Sequence, residues 1–286
     1  MLTVIVSGLA IGAVYAAAAL AYNVMYSTSK VLSVTTGHLC MLGGVFGAWF
    51  IAGLGLPIPV GLAGAIAVGA LFGWITEIVG VRRVLARSDE HLWLLSTLAL
   101  ATMIQQAVGL WWGTEPKPFP RLIPQDFSAG LFDQKYWLPI IVVILMAAGL
   151  ELFYRLTLWG KLFQATSEDA FAARARGIPT DRVRSLSYLL SGAVGGLAGF
   201  TAGQLTFAFF ALGLSLTLNG FIALAVGGLG SNLGALVGGA GLGLLSAFAT
   251  YLFGGEYQQT IAVGLLMLVL LVRPEGLFGA KRVRPV

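Results

Sequence analysis

Hydrophobic residues fall in long runs separated by short polar or charged stretches, the pattern of helices that cross a membrane rather than of a water-soluble core. No Asp, Glu, Lys or Arg occurs from Met1 to Ser29, from Val31 to Thr76, or over the 71 residues from Ser185 to Gly255. Runs of this length predict helices surrounded by hydrocarbon. Cutting them at charged or turn-rich breaks predicts spans over 2–25, 38–54, 57–79, 91–112, 137–157, 186–208 and 257–272. The first run lacks the short basic leader of a secretory signal and reads as a retained span. The stretch from Leu216 to Phe253 is about twice the ~20 residues that one crossing takes, so it must be broken or doubled.

Positive charge resolves the alternatives. Arg82, Arg83 and Arg87 lie in one interruption; Lys161, Arg174, Arg176, Arg182 and Arg184 in a second; Arg273, Lys281, Arg282 and Arg284 in the tail. All three segments are expected on the cytoplasmic side. The 113–136 segment mixes Lys117, Arg121 and Lys135 with Glu115, Asp126 and Asp133 and suits an external linker. The basic tail then reaches the cytoplasm only if 216–253 crosses twice, turning near Gly230-Ser231-Asn232-Leu233-Gly234. The expectation is an all-α polytopic bundle forming one domain over 1–286, with nine spans and the N-terminus outside. Asn219 to Gly230 is short for a full crossing, so a broken half-helix is the alternative and the count runs from eight to ten.

Composition sharpens this picture. The chain is 58% hydrophobic and 10% charged, against about a quarter charged residues in soluble domains, which excludes a water-soluble fold. The net charge of +5 is accounted for by residues flanking apolar runs, so lipid and not nucleic acid is the expected partner. A lone cysteine, Cys40, excludes a disulfide framework. Glycines four residues apart recur at Gly8/Gly12, Gly43/Gly47, Gly69/Gly73, Gly192/Gly196, Gly195/Gly199, Gly230/Gly234 and Gly234/Gly238. Small residues one turn apart let helices approach closely, within the chain or across a subunit interface.

Candidate chemistry is sparse. No G-x-x-x-x-G-K-[ST] phosphate loop occurs, so ATP is not expected on this chain, and no cofactor or metal is expected either. His38 and His91 fall in different spans, with no hydrolase motif around them. Glu77 and Glu151 lie near the cytoplasmic ends of their spans, where Arg82 or Arg83 and Arg155 are the expected partners. That placement differs from the mid-membrane carboxylates of ion-coupled carriers. In the 158–185 loop, Ser167 as N-cap, Glu168 and Asp169 at the start, Arg174 and Arg176 at the end, and Gly177 and Pro179 as stops predict a short helix over 168–176. Phe171 is its apolar knob, facing another protein or its own membrane domain. Asn23, Ser33, Thr35, Thr36 and His38 at one break, and Thr217, Asn219, Ser231 and Asn232 at another, are the candidate lining of a translocation path. They adjoin glycine and interrupt apolar runs, where broken helices open backbone to a cavity. Alternatively, they satisfy helix ends and pack on one another.

Four ordered segments resemble the LivH-type permeases of branched-chain amino acid importers driven by ATP. Gly8-Leu9-Ala10-Ile11-Gly12-Ala13-Val14-Tyr15-Ala16 is similar to the family's opening. Glu168 through Gly177-Ile178 and Asp181-Arg182-Val183 resembles its coupling loop. Ala225-Val226-Gly227-Gly228-Leu229-Gly230-Ser231 and Leu271-Val272-Arg273-Pro274-Glu275-Gly276-Leu277-Phe278-Gly279 match its late motifs. The resemblance implies a type II importer permease forming half of a translocation path. Its partners would be a LivM-type permease, two ATPase subunits that hold the ATP, and a periplasmic binding protein. It also implies ATPase contact through Glu168, Asp169, Phe171, Arg174, Gly177, Ile178 and Asp181. Where the family commonly reads N-F-A-H-G-E, this chain has Ser33-Val34-Thr35-Thr36-Gly37-His38. The ligand therefore stays open among branched-chain amino acids, urea, amides and aromatic acids. A stand-alone carrier or channel for small polar solutes is the alternative reading.

Overall fold

A computed structural model describes residues 1–85, 92–120 and 133–279. Arg87, His91, Arg121, Asp126, Lys281, Arg282 and Arg284 lie outside the described residues. The elements are α1 (Leu2–Ser29), α2 (Thr36–Ala48, continuing as a π-helix over Trp49–Gly53), α3 (Ile58–Ile75, continuing as a π-helical foot over Thr76–Arg82) and α4 (Leu92–Trp112). They are followed by α5 (Gln134–Leu156), α6 (Leu158–Glu168), α7 (Ala170–Ala175), α8 (Thr180–Thr206), α9 (Leu212–Gly227), α10 (Asn232–Phe253) and α11 (Gln258–Val272). Among the described residues, eight helices are long and apolar enough to cross a membrane, and α9 is a shorter apolar helix.

The doubling of the 216–253 stretch is therefore found, as α9 and α10. Gly228 at φ 108° and Gly230 at φ 90° make the turn between them, a backbone conformation that side chains with a Cβ rarely adopt. With 16 residues, α9 rises about 24 Å, short of the ~30 Å hydrocarbon layer. Both ends of the bundle are marked by contacts. At one end, Lys117 and Ala208 exchange backbone hydrogen bonds of 2.9 and 3.1 Å. At the other, the tail donates from Leu277 N to the Val226 carbonyl (2.9 Å) and from Phe278 N to the Gly227 carbonyl (2.8 Å). That second end also carries Arg82 and Arg184 and is called the basic end below.

Helix α1 packs on α10, α8, α5 and α9, while α8 packs on α3, α2 and α1. Their most apolar stretches are 67% and 72% buried, against 22% for α3, α4 and α5 and 6% for α11. The inner helices are those with small faces. A Cβ added at Gly69 or Gly73 would collide with the carbonyls of Gly192 or Tyr188, and one at Gly12 with the backbone of Gly239 and Ala240. Hydrocarbon supplies little hydrophobic drive for helices to associate, so the gain comes from van der Waals contact that only such close approach allows. Every glycine of the four-residue pairs except Gly230 meets atoms from elsewhere in this chain. The pairs are thus occupied by packing within the chain.

Candidate functional site

The chain leaves α1 at Lys30, which takes a left-handed conformation (φ 55°) and donates its N–H to the Tyr26 carbonyl at 2.9 Å. Residues 30–35 then run as a non-helical break. Its backbone is held from two other helices: Val34 N donates to Thr97 Oγ1 of α4 (3.4 Å), and Thr217 Oγ1 of α9 donates to the Val34 carbonyl (3.2 Å). Thr217 lies ten residues from the basic end of α9, a rise of about 15 Å, so the break reaches the middle of the bundle. Ser33 and Thr35 share a 2.7 Å hydroxyl bond, and Thr36 Oγ1 donates to the Ser33 carbonyl at 3.0 Å. The His38 Nε2 and Gln105 Oε1 atoms lie 3.1 Å apart, and Tyr22 OH donates to the Thr217 carbonyl at 3.3 Å. Asn219 Nδ2 donates to the Ser215 carbonyl at 3.0 Å. Ser33, Thr35 and Thr36 are fully buried, and His38, Thr217 and Asn219 nearly so. His38 Nδ1 has no hydrogen-bond partner among the described residues; the other buried side-chain polar atoms of this central cluster are bonded within the bundle, and it lines no described cavity.

Open space lies nearer the basic end. A cavity of about 360 Å³ is lined by Asn23, Glu151, Tyr154, Gln164 and Asn232, and one of about 610 Å³ by Tyr26, Lys30, Leu229 and Phe278. Both are lined by Ser27, Ser167, Gly230 and Ser231, so they form a single vestibule. The Asn23 amide fixes its wall: Oδ1 accepts from Gly230 N (2.9 Å) and Nδ2 donates to Asn232 Oδ1 (2.7 Å). Ser231 caps α10 by accepting from Gly234 N at 2.9 Å. The Lys30 ammonium sits 5.5 Å from the Tyr26 ring centroid, and partial burial lowers its pKa. Glu151 pairs with Arg155 at 2.6 Å, as expected.

The candidate path residues thus divide. Asn23, Ser231 and Asn232 line the vestibule; Ser33, Thr35, Thr36, His38, Thr217 and Asn219 make or adjoin the buried centre. Sequence reading missed Tyr22, Ser27, Thr97, Gln105, Ser167 and Phe278. Ser27 carried a usable signal, standing four residues after Asn23 on one face of α1.

The 158–185 segment differs from its expected form. Rather than one helix over 168–176 capped by Ser167, α6 runs through Glu168 and a separate α7 begins after Asp169. The Asp169 carboxylate accepts from Phe171 N (2.8 Å) and Ala172 N (2.9 Å), whereas Ser167 Oγ donates to the Gln164 carbonyl (2.8 Å) and has no part in capping. Phe171 is 84% exposed. Gly177, at φ 83°, reverses the chain, and Ile178 N donates back to the Ala173 carbonyl at 3.1 Å. Arg174 donates to Thr180 Oγ1 (3.0 and 3.1 Å) and lies 3.8 Å from Asp181. Glu77 also departs from the simple interfacial pair expected with Arg82 or Arg83. It is fully buried and held by Arg184 of α8 as well as by Arg82.

The description of a family model, the permease component of branched-chain amino acid transport systems, fits residues 4–271 of this chain. The chain is 29% identical over 301 residues to the high-affinity branched-chain amino acid transport system permease protein LivH of Escherichia coli (strain K12), covering 98% of this chain and 96% of that protein. It is 29% identical over 298 residues to the corresponding permease BraD of Pseudomonas aeruginosa, covering 99% and 97%. An autoinducer 2 import system permease, LsrC of Escherichia coli O9:H4, is 27% identical over 228 residues, covering 76% and 64%. The solved structure of PsaBC from Streptococcus pneumoniae in complex with Fab superposes with a TM-score of 0.55 at 15% identity, covering 96% of this chain and 91% of that one, and it shares the fold. With its crossing helices, the chain is a multi-pass protein of the bacterial inner membrane and a transporter component rather than an enzyme. It belongs to the family of permease components of branched-chain amino acid transport systems.

Proposed function

We propose that this chain forms half of the translocation path of an importer driven by ATP, carrying branched-chain or related small amino acids or amides. Kinship over the whole chain with LivH and BraD supports the class of substrate. The observation that carries the coupling is α7, a carboxylate-capped helix that presents Phe171 almost bare to solvent while its root is hydrogen-bonded to α8. A large apolar side chain displayed beside charged groups is suited to a pocket on a partner. The partner is an ATPase subunit, one of two that hold ATP; a LivM-type permease completes the path, and a periplasmic binding protein delivers the ligand. No cofactor resides on this chain.

Ligand leaves through the vestibule after passing the centre at Val34. Its lining of hydroxyls and amides offers weak, replaceable hydrogen bonds, as conduction requires. Because residues 33–38 sit in the middle of the bundle, their departure from the family pattern falls where it bears on which side chain passes. A stand-alone carrier is less well supported: the one fully buried carboxylate among the described residues, Glu77, is at the basic end and paired with arginine. The test is reconstitution of the chain with an ATPase pair, a second permease and a binding protein in liposomes. ATP-dependent accumulation of leucine, or of a small amide, supports the proposal. Accumulation without any ATPase supports the carrier.

A further inference from the structure

Glu77 uses all of its hydrogen-bonding capacity inside the protein. Oε1 accepts from Arg82 Nε and Arg184 Nε, each at 3.1 Å; Oε2 accepts from Arg82 Nη2 (2.8 Å) and Ser185 Oγ (3.1 Å). The Arg184 side chain is 16% exposed, and its Nη2 lies 3.1 Å from Asp181 Oδ1. Asp181 in turn faces Arg174 of α7. A continuous line of charge therefore runs from the exposed coupling helix, through the first turns of α8, to the foot of α3. A buried ion pair is weak evidence for stability, since a well-packed apolar substitute is often as stable, so stability alone does not account for this one.

The foot supplies an explanation. Residues 76–82 are π-helical, a geometry frequent at functional sites. The foot also packs on α4, where a Cβ at Gly80 would meet Leu100, Thr97 and Ser96 at ordinary contact distances. Thr97 is the residue that holds Val34 N in the central break. The line from α7 to the centre of the bundle thus runs through ion pairs, one packed pair of helices and a hydrogen bond: Arg174, Asp181, Arg184, Glu77, the foot against α4, Thr97, Val34.

We propose that Glu77 is a positioning residue that couples displacement of α7 to the foot of α3 and, through α4, to the central break. This rests on reading α7 as the ATPase contact. The charge on Glu77 makes the foot follow Arg184, while a neutral residue of equal size would let α8 move without it.

The test uses the complete reconstituted transporter and measures substrate accumulated per ATP hydrolysed. With Glu77→Gln, the ATPase should still co-purify and hydrolyse ATP, while the ratio falls roughly fivefold or more, the usual size of a coupling lost. Asp181→Asn, at an exposed position in the same line, should lower the ratio in the same direction. The double variant should be no worse than Glu77→Gln alone, because the two act through one link. A ratio that stays at the wild-type value, or uptake and hydrolysis that fall together with the amount of assembled complex, overturns the link. If Glu77→Gln fails to accumulate in the membrane, the ratio in Asp181→Asn decides. Failure of the wild-type chain to bind any ATPase overturns the underlying reading, and the link with it.

Discussion

Ser167 and Asp169, two residues apart, compete to start the same helix, and the carboxylate prevails because it takes two backbone donors while the hydroxyl turns back to its own carbonyl at Gln164. Asp169→Ala removes that cap, worth about 1 kcal/mol, and should loosen α7; ATPase affinity of the purified chain should drop while its thermal unfolding in detergent barely moves. In the vestibule wall, Asn23→Ala deprives Gly230 N of its acceptor and Asn232 of its donor. Uptake should fall with the amount of assembled complex unchanged. Polar interruptions of apolar runs made Asn23, Asn232 and the central break legible in the sequence, whereas Asp169 was read only as an acidic start behind a Ser167 cap. Their partners were not legible, because Thr217 reaches Val34 across 183 positions and only the packed helices set that distance. The same buried pairing changes what a bulky probe does. Thr36→Trp and Asn219→Trp put a large ring into close-packed space, at about 1–3 kcal/mol or more, and should block uptake with a measurable loss of stability.

The glycine spacing along α3 and α8 is a property of helices rather than of residues. Four-residue repeats were visible in the sequence as faces able to pack, but which faces meet was decided by the order of helices in the bundle. Gly192 lies against the Gly69 carbonyl, whereas Gly241 on α10 has open space where a Cβ would go. Gly192→Ala should therefore lower the midpoint of thermal unfolding by several degrees, and Gly241→Ala should leave it unchanged or raise it, since alanine favours helix by about 1 kcal/mol. The extent of α9 was harder to read. Apolarity continues on both sides of it, and its start at Leu212 is set by backbone pairing between Ala208 and Lys117, which belongs to a loop with no hydrophobic pattern.

For the molecule as a whole, the distribution of arginine and lysine predicted an odd number of crossings, and the contacts agree: the α9–α10 turn and the tail meet at the end that also carries Arg82 and Arg184. In a Cys40→Ala background, Lys30→Cys and Leu229→Cys should react only with reagent on the cytoplasmic side, and Gly255→Cys only from outside. The opposite pattern would invert the bundle. Phe171→Glu should abolish ATPase co-purification without loss of membrane insertion, because an unpaired charge in an interface costs about 3 kcal/mol or more. The hydrogen bonds from Leu277 and Phe278 to the end of α9 carry a temporal meaning as well. The last carbonyls of this short crossing find their donors in a stretch synthesised some fifty residues later, after α10 and α11 have entered the bilayer. Until then the Val226 and Gly227 carbonyls lack the donors that finish the helix. Closure of this end of the vestibule is therefore expected late in biogenesis, and a nascent chain released before Gly276 would present quality-control proteases with a bundle in which α9 has nowhere to finish.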